Sequence, residues 1–374
     1  MIYLDYNATT PLDSEVCNEI FDCLKNEFGN PSSSHLTGQS AKARIEKARA
    51  SIAELIGCNP EEIYFTSGGT ESNNLAILGT AYRYRKGHII TSKIEHPSVM
   101  NPVRYLAASG FEVTYAGVDK NGIVSVEEIK RAIRKDTILI TIMHSNNETG
   151  AIQPVEDIAA VAKAHGILFH TDAAQSIGKI PVDTLNIDIM TIVPHKFYGP
   201  KGTGALFIRK GAEPYPIMFG AGHERGLRPG TENVPAIAGM GKACEIAKRD
   251  IKARTAHLTH LKNLLLDELQ KNIEGIRING NPELCLPNTL NVCISGIDAV
   301  DLVEALKDKV AISAGSACHA GVKSPSQVLK AMGLTDEDAM SSIRISLGKD
   351  NTEEDIRTAV KILSDAIPQL DRAR

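Results

Sequence analysis

The sequence predicts an α/β protein built around a mostly parallel sheet flanked by helices. Short apolar segments rich in Ile, Leu and Thr alternate with helical patterns through the first two thirds of the chain. The polar residues that look chemically useful fall just past the ends of those segments. Sheets of this kind gather ligands there, at the carboxyl ends of their strands. The length of 374 residues points to about two domains.

In chain order, residues 62–66 read as a strand, followed by a helix through 73–78. Strands follow at 88–91, 112–115, 138–143 and 167–170, with helical patterns between most of them. The run 187–193 reads as a buried strand, and 204–208 as the next one. From 240 to 273 there is no proline, and Gly241 is the only glycine, so a long helix is expected to leave the first domain and enter a second. There, 289–294 and 342–347 read as strands. A last helix starts near Thr352, capped by it with Asp355 three residues on.

Composition excludes several function classes. A net charge of −4 and a pI near 6.3 give no electrostatic case for nucleic acid or an anionic membrane. No apolar run approaches the roughly 18 residues a membrane span needs. The first residues lack a basic region and an apolar core, so they are not a signal peptide. The seven cysteines are scattered, with no C-x-x-C pair, which argues against a disulfide framework or a metal site and fits a reducing cytoplasm. Six of them suit small buried positions, whereas Cys318 does not.

Lys196 lies in the short loop Val193-Pro194-His195-Lys196-Phe197-Tyr198-Gly199-Pro200-Lys201-Gly202. Asp172 ends the strand upstream of it. A Lys and an Asp at neighbouring strand ends suit pyridoxal 5′-phosphate (PLP), the Lys forming the Schiff base and the Asp pairing with the pyridinium nitrogen. The turn Ser67-Gly68-Gly69-Thr70 follows a strand and opens a helix, so Gly69 and Thr70 can meet a phosphate at the helix start. His96 ends a strand on the same rim and can stack on a ring or shuttle protons. Gln175 can donate to the phenolic oxygen of the cofactor. His195 can bond a phosphate oxygen or cap its own loop. Arg344, inside an apolar strand, needs a carboxylate, either of a substrate or of a structural ion pair.

Cys318 sits in Ala314-Gly315-Ser316-Ala317-Cys318-His319-Ala320-Gly321, a small, polar stretch expected to form a mobile surface loop. His319 and Lys323 can help stabilise its thiolate, the reactive form. A helix start is expected at Ser324-Pro325-Ser326, with Pro325 in its first turn.

Taken together, these motifs identify a resemblance. Tyr3-Leu4-Asp5-Tyr6-Asn7-Ala8-Thr9-Thr10-Pro11, Asn146-Asn147-Glu148-Thr149-Gly150, Arg228-Pro229-Gly230-Thr231-Glu232-Asn233 and the segments already quoted extend it nearly end to end. The chain resembles the cysteine desulfurases of the NifS/IscS type, within the class-V aminotransferase family of PLP enzymes. The resemblance implies PLP fold type I, with a large domain over 14–255. A smaller α+β domain of 1–13 and 256–374 would carry the cysteine loop. It implies Lys196 as the Schiff-base lysine, Asp172 on the pyridinium, His96 over the ring and Gln175 on the phenolic oxygen. Thr70 and His195 would bind phosphate, joined by Thr231 across a homodimer interface. Asn147 and Arg344 would hold the substrate carboxylate, and Cys318 would carry a persulfide. L-Cysteine would be the substrate, and an acceptor such as an iron–sulfur scaffold would take the sulfur.

Two departures stand out. Relatives of this type usually carry Ser-Gly before His-Lys, the Ser binding phosphate, where this chain has Val193-Pro194. An apolar residue at 193 and His319 after the cysteine are features shared with selenocysteine lyases, so L-selenocysteine is the alternative substrate. The second departure is the stretch after Arg344, too short for the longer tail that IscS-like members use on their scaffold partner. A PLP-bound interaction protein with little turnover is the remaining alternative.

Overall fold

The computed structural model describes residues 1–314 and 324–371. Cys318, His319 and Lys323, and the loop expected around them, lie outside the described residues. The strands are β1 (Ile2–Tyr3), β2 (Ile63–Thr66), β3 (His88–Ser92), β4 (Glu112–Ala116), β5 (Thr137–Thr141) and β6 (Leu168–Asp172). They continue with β7 (Ile189–Ile192), β8 (Gly204–Ile208), β9 (Ile276–Ile278), β10 (Thr289–Ile294), β11 (Val310–Ala311) and β12 (Ser342–Ser346).

Seven of these form one sheet in the order β2-β8-β7-β6-β5-β3-β4. Only β8 runs against the rest, so the sheet is mostly parallel, as expected for an α/β fold. The central strands are buried along their length, which explains their continuous Ile, Leu and Thr runs. Because β7 and β8 are adjacent and antiparallel, the Lys196 loop is the turn-back between them, held at the carboxyl end of β7. Asp172 closes β6 one strand over, in register with Thr191 of β7.

A 39-residue helix, Val234–Asn272, runs about 58 Å at 1.5 Å per residue. It begins earlier than the expected 240 because Pro235 occupies its first turn, where a missing N–H costs nothing. Asn233 caps it, accepting from the Ala236 N–H at 3.2 Å. Ile237, Met240, Cys244 and Ala247 join the core under the main sheet. Further along, Leu258, Leu261, Leu265 and Leu269 join a second core with Leu4, Val292, Ile343 and Ile356. The antiparallel sheet β12-β10-β9 and the helix Glu353–Asp371 build that second core. The expected Thr352–Asp355 box caps that helix, the Asp355 N–H donating to Thr352 Oγ1 at 3.1 Å and the Thr352 N–H to Asp355 Oδ2 at 2.9 Å. β1 pairs in parallel with β11 and so attaches the first residues of the chain to this region.

Two expectations need correction. The helix after the cysteine stretch is Gln327–Ala331, and its cap is Ser326, whose Oγ accepts from the Leu329 N–H at 3.2 Å. Pro325 therefore precedes the cap and is not in the first turn. Of the six cysteines expected in buried positions, Cys17 is exposed and Cys58 and Cys285 are half-buried. Cys17 follows the buried Val16 in the helix Ser14–Asn26, and one residue turns the side chain about 100° away from the core. Among the described residues, no helix is long and apolar enough to cross a membrane.

Candidate active site

The turn between β2 and the helix Gly69–Tyr84 shapes the first part of the site. Gly68 sits at φ 152°, a conformation left to glycine. A Cβ on Gly69 would lie 2.7 Å from Val193 Cγ2, so the bulk of Val193 and the bareness of Gly69 are complementary. The free N–H groups of this 16-residue helix start, with the exposed Thr70 beside them, form an anion-binding end. Glu71 in the same turn is turned aside, accepting from the Ser67 N–H at 2.8 Å and pairing with Arg228 Nε at 2.7 Å. Burial opposes its ionisation, but Arg228 and Ser67 outweigh it and hold the carboxyl below its ordinary range. Thr231 is exposed on the segment that Arg228 ties down.

Asp172 is buried at 6% exposure and accepts from Asn73 Nδ2 at 2.7 Å and the Ala174 N–H at 3.0 Å. Among the described residues no cation pairs with it. Asn73 is fixed in turn, its Oδ1 accepting from Thr191 Oγ1 at 2.7 Å and its Nδ2 donating to Ser98 Oγ at 2.8 Å. Ser98 Oγ lies 2.7 Å from Nδ1 of His96, which also accepts from the Ser98 N–H and caps the helix Pro97–Ala108. His96 and Asp172 thus share one chain of hydrogen bonds. Below them, burial lowers His170 to a pKa of about 4, and its ring bridges Thr141 and Thr191.

Lys196 Nζ donates to the carbonyls of Asn7 and Ala8 at 2.7 and 2.8 Å. Burial and then Arg344 lower its pKa to about 8, while Asp172 and Asp5 act in the opposite sense. His195 keeps its ring by Thr9, with Nδ1 3.1 Å from Oγ1. Burial, Lys196, Lys201 and Lys179 lower its pKa to about 4, so the ring is neutral at ordinary pH. Tyr198 follows at φ 71°, a strained value for a bulky residue, pinned by its N–H on Thr10 Oγ1 at 2.7 Å.

Asn7 is the residue that sequence reasoning missed as an individual. It is 1% exposed, and all its polar atoms are used. Its backbone carbonyl accepts from Gln175 Nε2 at 2.9 Å as well as from Lys196, and its N–H donates to Ser346 Oγ at 2.9 Å. Its Nδ2 donates to the Asn147 carbonyl at 3.2 Å and Thr289 Oγ1 at 2.9 Å, and its Oδ1 accepts from Lys179 Nζ at 2.9 Å and Asn288 Nδ2 at 3.1 Å. Glu95, also missed, is fully buried beside His96. Burial raises its pKa to about 8 against hydrogen bonds from Ser92 and the Met143 N–H.

Arg344 does meet a carboxylate, with Nη2 2.6 Å from Asp5 Oδ1. Its Nη1 donates to the Asn147 carbonyl at 3.0 Å, and among the described residues its buried Nε has no partner. Arg344 and Ser313 exchange backbone hydrogen bonds of 2.7 and 3.1 Å just before the cysteine stretch. On its far side, Ser326 Oγ donates to the Glu148 carboxylate at 2.5 Å. The described residues that flank the cysteine stretch, Ser313 and Ser326, are thus held by Arg344 and Glu148. The residues present fit PLP: a buried Asp172 without a cation, an anion-binding helix start, an amine of lowered proton affinity and a spare buried guanidinium N–H.

Comparison with known proteins gives the family. The family model for class-V aminotransferases matches residues 2–358. A cysteine desulfurase IscS of Dictyoglomus turgidum is 46% identical over 99% of this chain and 95% of its own. The solved structure of a NifS-like protein superposes with a TM-score of 0.93 at 39% identity, covering 99% of this chain and all of that one. SspA, solved in complex with cysteine, gives a TM-score of 0.82 at 38% identity over 93% of this chain and 99% of its own. This chain belongs to the class-V aminotransferase family, among the NifS/IscS-type cysteine desulfurases.

Proposed function

We propose that the protein is a PLP-dependent desulfurase that converts L-cysteine to L-alanine and carries the sulfur as a persulfide on Cys318. The observation that carries this reading is that Lys196 and Arg344 are joined through Asn7 and Asn147, one strand from the buried Asp172. Family membership and the cysteine complex of SspA support the substrate.

PLP, when bound, supplies an electron sink for the charge left at the substrate α-carbon. Lys196 would hold the cofactor through its aldehyde, and its amine, once free, would be the base that moves the substrate α-proton. Asp172 would accept from the ring nitrogen, Gln175 would donate to the phenolic oxygen, and His96 would cover the ring. Gly69, Thr70 and His195 would receive the phosphate, with Thr231 from the second copy in a homodimer. Arg344 and Asn147 hold the substrate carboxylate. The Cys318 thiolate attacks the substrate sulfur, an S–S bond forms, and the C–S electron pair stays with the carbon that becomes the alanine methyl group. The persulfide then passes to an acceptor such as an iron–sulfur scaffold protein in the cytoplasm. The proposed large domain spans 14–255, with 1–13 and 256–374 as the smaller one, a division supported by the two largest buried clusters, although Ile94 and Met143 also pack with Val328 and Leu329 across it.

Val193 packed over Gly69 favours a second reading, a selenocysteine lyase. The test supplies both amino acids to the PLP-loaded protein and to Cys318→Ala. Sulfide and alanine from cysteine, abolished in Cys318→Ala, are expected. Selenide release with negligible cysteine turnover would overturn the desulfurase reading, and bound PLP with no turnover of either would favour an interaction protein.

A further inference from the structure

Asn73 has no part in the chemistry above, yet it touches both Asp172 and the serine that bonds His96. It is fully buried, in the helix Gly69–Tyr84 that follows the phosphate turn. Its Nδ2 donates to Asp172 Oδ2 at 2.7 Å and to Ser98 Oγ at 2.8 Å, and its Oδ1 accepts from Thr191 Oγ1 at 2.7 Å. Both N–H bonds of the amide are therefore spent, one toward each functional residue.

The direction of every bond in this chain follows from its ends. The Ser98 N–H can only donate, so His96 Nδ1 carries a lone pair and the ring proton is on Nε2. Ser98 Oγ, 2.7 Å from that same Nδ1, must then donate to it and accept from Asn73. Asp172 accepts from the Ala174 N–H and from Asn73, which places the amide nitrogen on that side and its oxygen toward Thr191. Thr191 spends its O–H on Asn73, so it accepts from His170 Nε2, 3.2 Å away, and His170 Nδ1 accepts from Thr141. Burial keeps His170 neutral, with the single ring proton that this needs.

We infer that Asn73 is a positioning residue for the reaction: one amide holds Asp172 as an acceptor for the ring nitrogen of the cofactor and holds His96 with its proton on Nε2. This rests on the reading that the site holds PLP with Asp172 on that nitrogen. The chain has a single polarity, from Thr141 in β5 through His170 and Thr191 to Asn73, where it divides. With two donors on Nδ1 and the proton on Nε2, His96 is a hydrogen donor. Removal of the α-proton is therefore left to Lys196.

The experiment compares PLP-loaded wild type with Asn73→Asp, which keeps the shape but has a single O–H even when protonated. That side chain can serve Asp172 or Ser98 but not both, and the neighbouring carboxylate of Asp172 draws the proton to its own side. Nitrogen-15 NMR of the histidine rings should show His96 protonated on Nε2 in the wild type. Its Nδ1 resonance should move in Asn73→Asp as the bond from Ser98 weakens. Turnover of cysteine (kcat) should fall about 100-fold at saturating PLP, the scale of a misplaced catalytic group, with KM little changed. A His96 ring protonated on Nδ1 in the wild type, an unmoved resonance in the variant or an unchanged kcat would each overturn the inference. If Asn73→Asp does not fold, Asn73→Ser also offers one donor, and the same outcomes decide. A PLP-loaded wild type that turns over neither amino acid contradicts the proposed function, and the NMR comparison then decides the inference alone.

Discussion

The carboxylate of Asp5 holds Arg344 Nη2 at 2.6 Å, while the buried Nε of the same guanidinium has no partner among the described residues. The arginine is thus oriented by its own chain and still has donor capacity to spare. Arg344→Lys keeps a charge but loses the planar fork that reads a carboxylate. We expect kcat/KM for cysteine to fall about 100-fold, mostly through KM, as loss of charge-assisted hydrogen bonds worth about 3 kcal/mol implies. Steady-state kinetics check this, with the bound PLP spectrum unchanged.

The lowered proton affinity of Lys196 has a pH signature. In the cofactor-free protein its amine loses the proton near pH 8, so the rate of PLP capture should rise as pH increases through that value. In the unfolded chain the lysine stays protonated to its ordinary value. Between the two values the unfolded state holds more protons, and the cofactor-free fold should gain stability with rising pH. Stopped-flow PLP binding and denaturant titrations across this range measure the two effects.

Gly69 and Val193 should behave as a pair. Gly69→Ala places a methyl group against Val193 Cγ2, an overpacking worth about 1–3 kcal/mol, and PLP retention should weaken about tenfold or more. Adding Val193→Ala should recover most of the loss. Cofactor release during dialysis distinguishes this coupling from simple additivity.

Glu224 and Arg49 form an ion pair at 2.9 Å in which both side chains are almost fully buried. Glu224 also accepts from the Phe65 N–H at 2.8 Å, in the strand that leads to the phosphate turn. Glu224→Ala leaves the buried guanidinium with only the more exposed Glu46 carboxylate at 3.1 Å and should cost about 3 kcal/mol of stability. Urea denaturation of the PLP-loaded variant tests this.

Much of the fold is legible in the residues themselves. The buried strands around Ile140 and Phe207 are continuous apolar runs, and Asp172 and Lys196 stand where such runs stop. The reversed direction of β8 is not legible, because a buried strand has the same composition either way. Nor are Asn7 and Lys179 recognisable one at a time. Asn7 bonds to Asn288, 281 positions away, and Lys179 in Ile177-Gly178-Lys179-Ile180 looks like any solvated lysine. Their roles come from burial and long-range partners, which periodicity does not encode. Arg344 could be narrowed to a carboxylate partner, but only tertiary contact shows Asp5 in that place.

The saturated contacts of Asn7 also set a timetable. Its partners Asn288, Thr289 and Ser346 leave the ribosome long after Lys196 and Asp172. A nascent chain can complete the main sheet and the contacts of Asn7 with Asn147, Gln175 and Lys179 early, yet the contacts with Asn288, Thr289 and Ser346 wait until synthesis has passed Ser346. The last bonds that fix Asn7, and with it the carbonyl that receives Lys196, therefore come from the second core rather than from the sheet that carries the lysine.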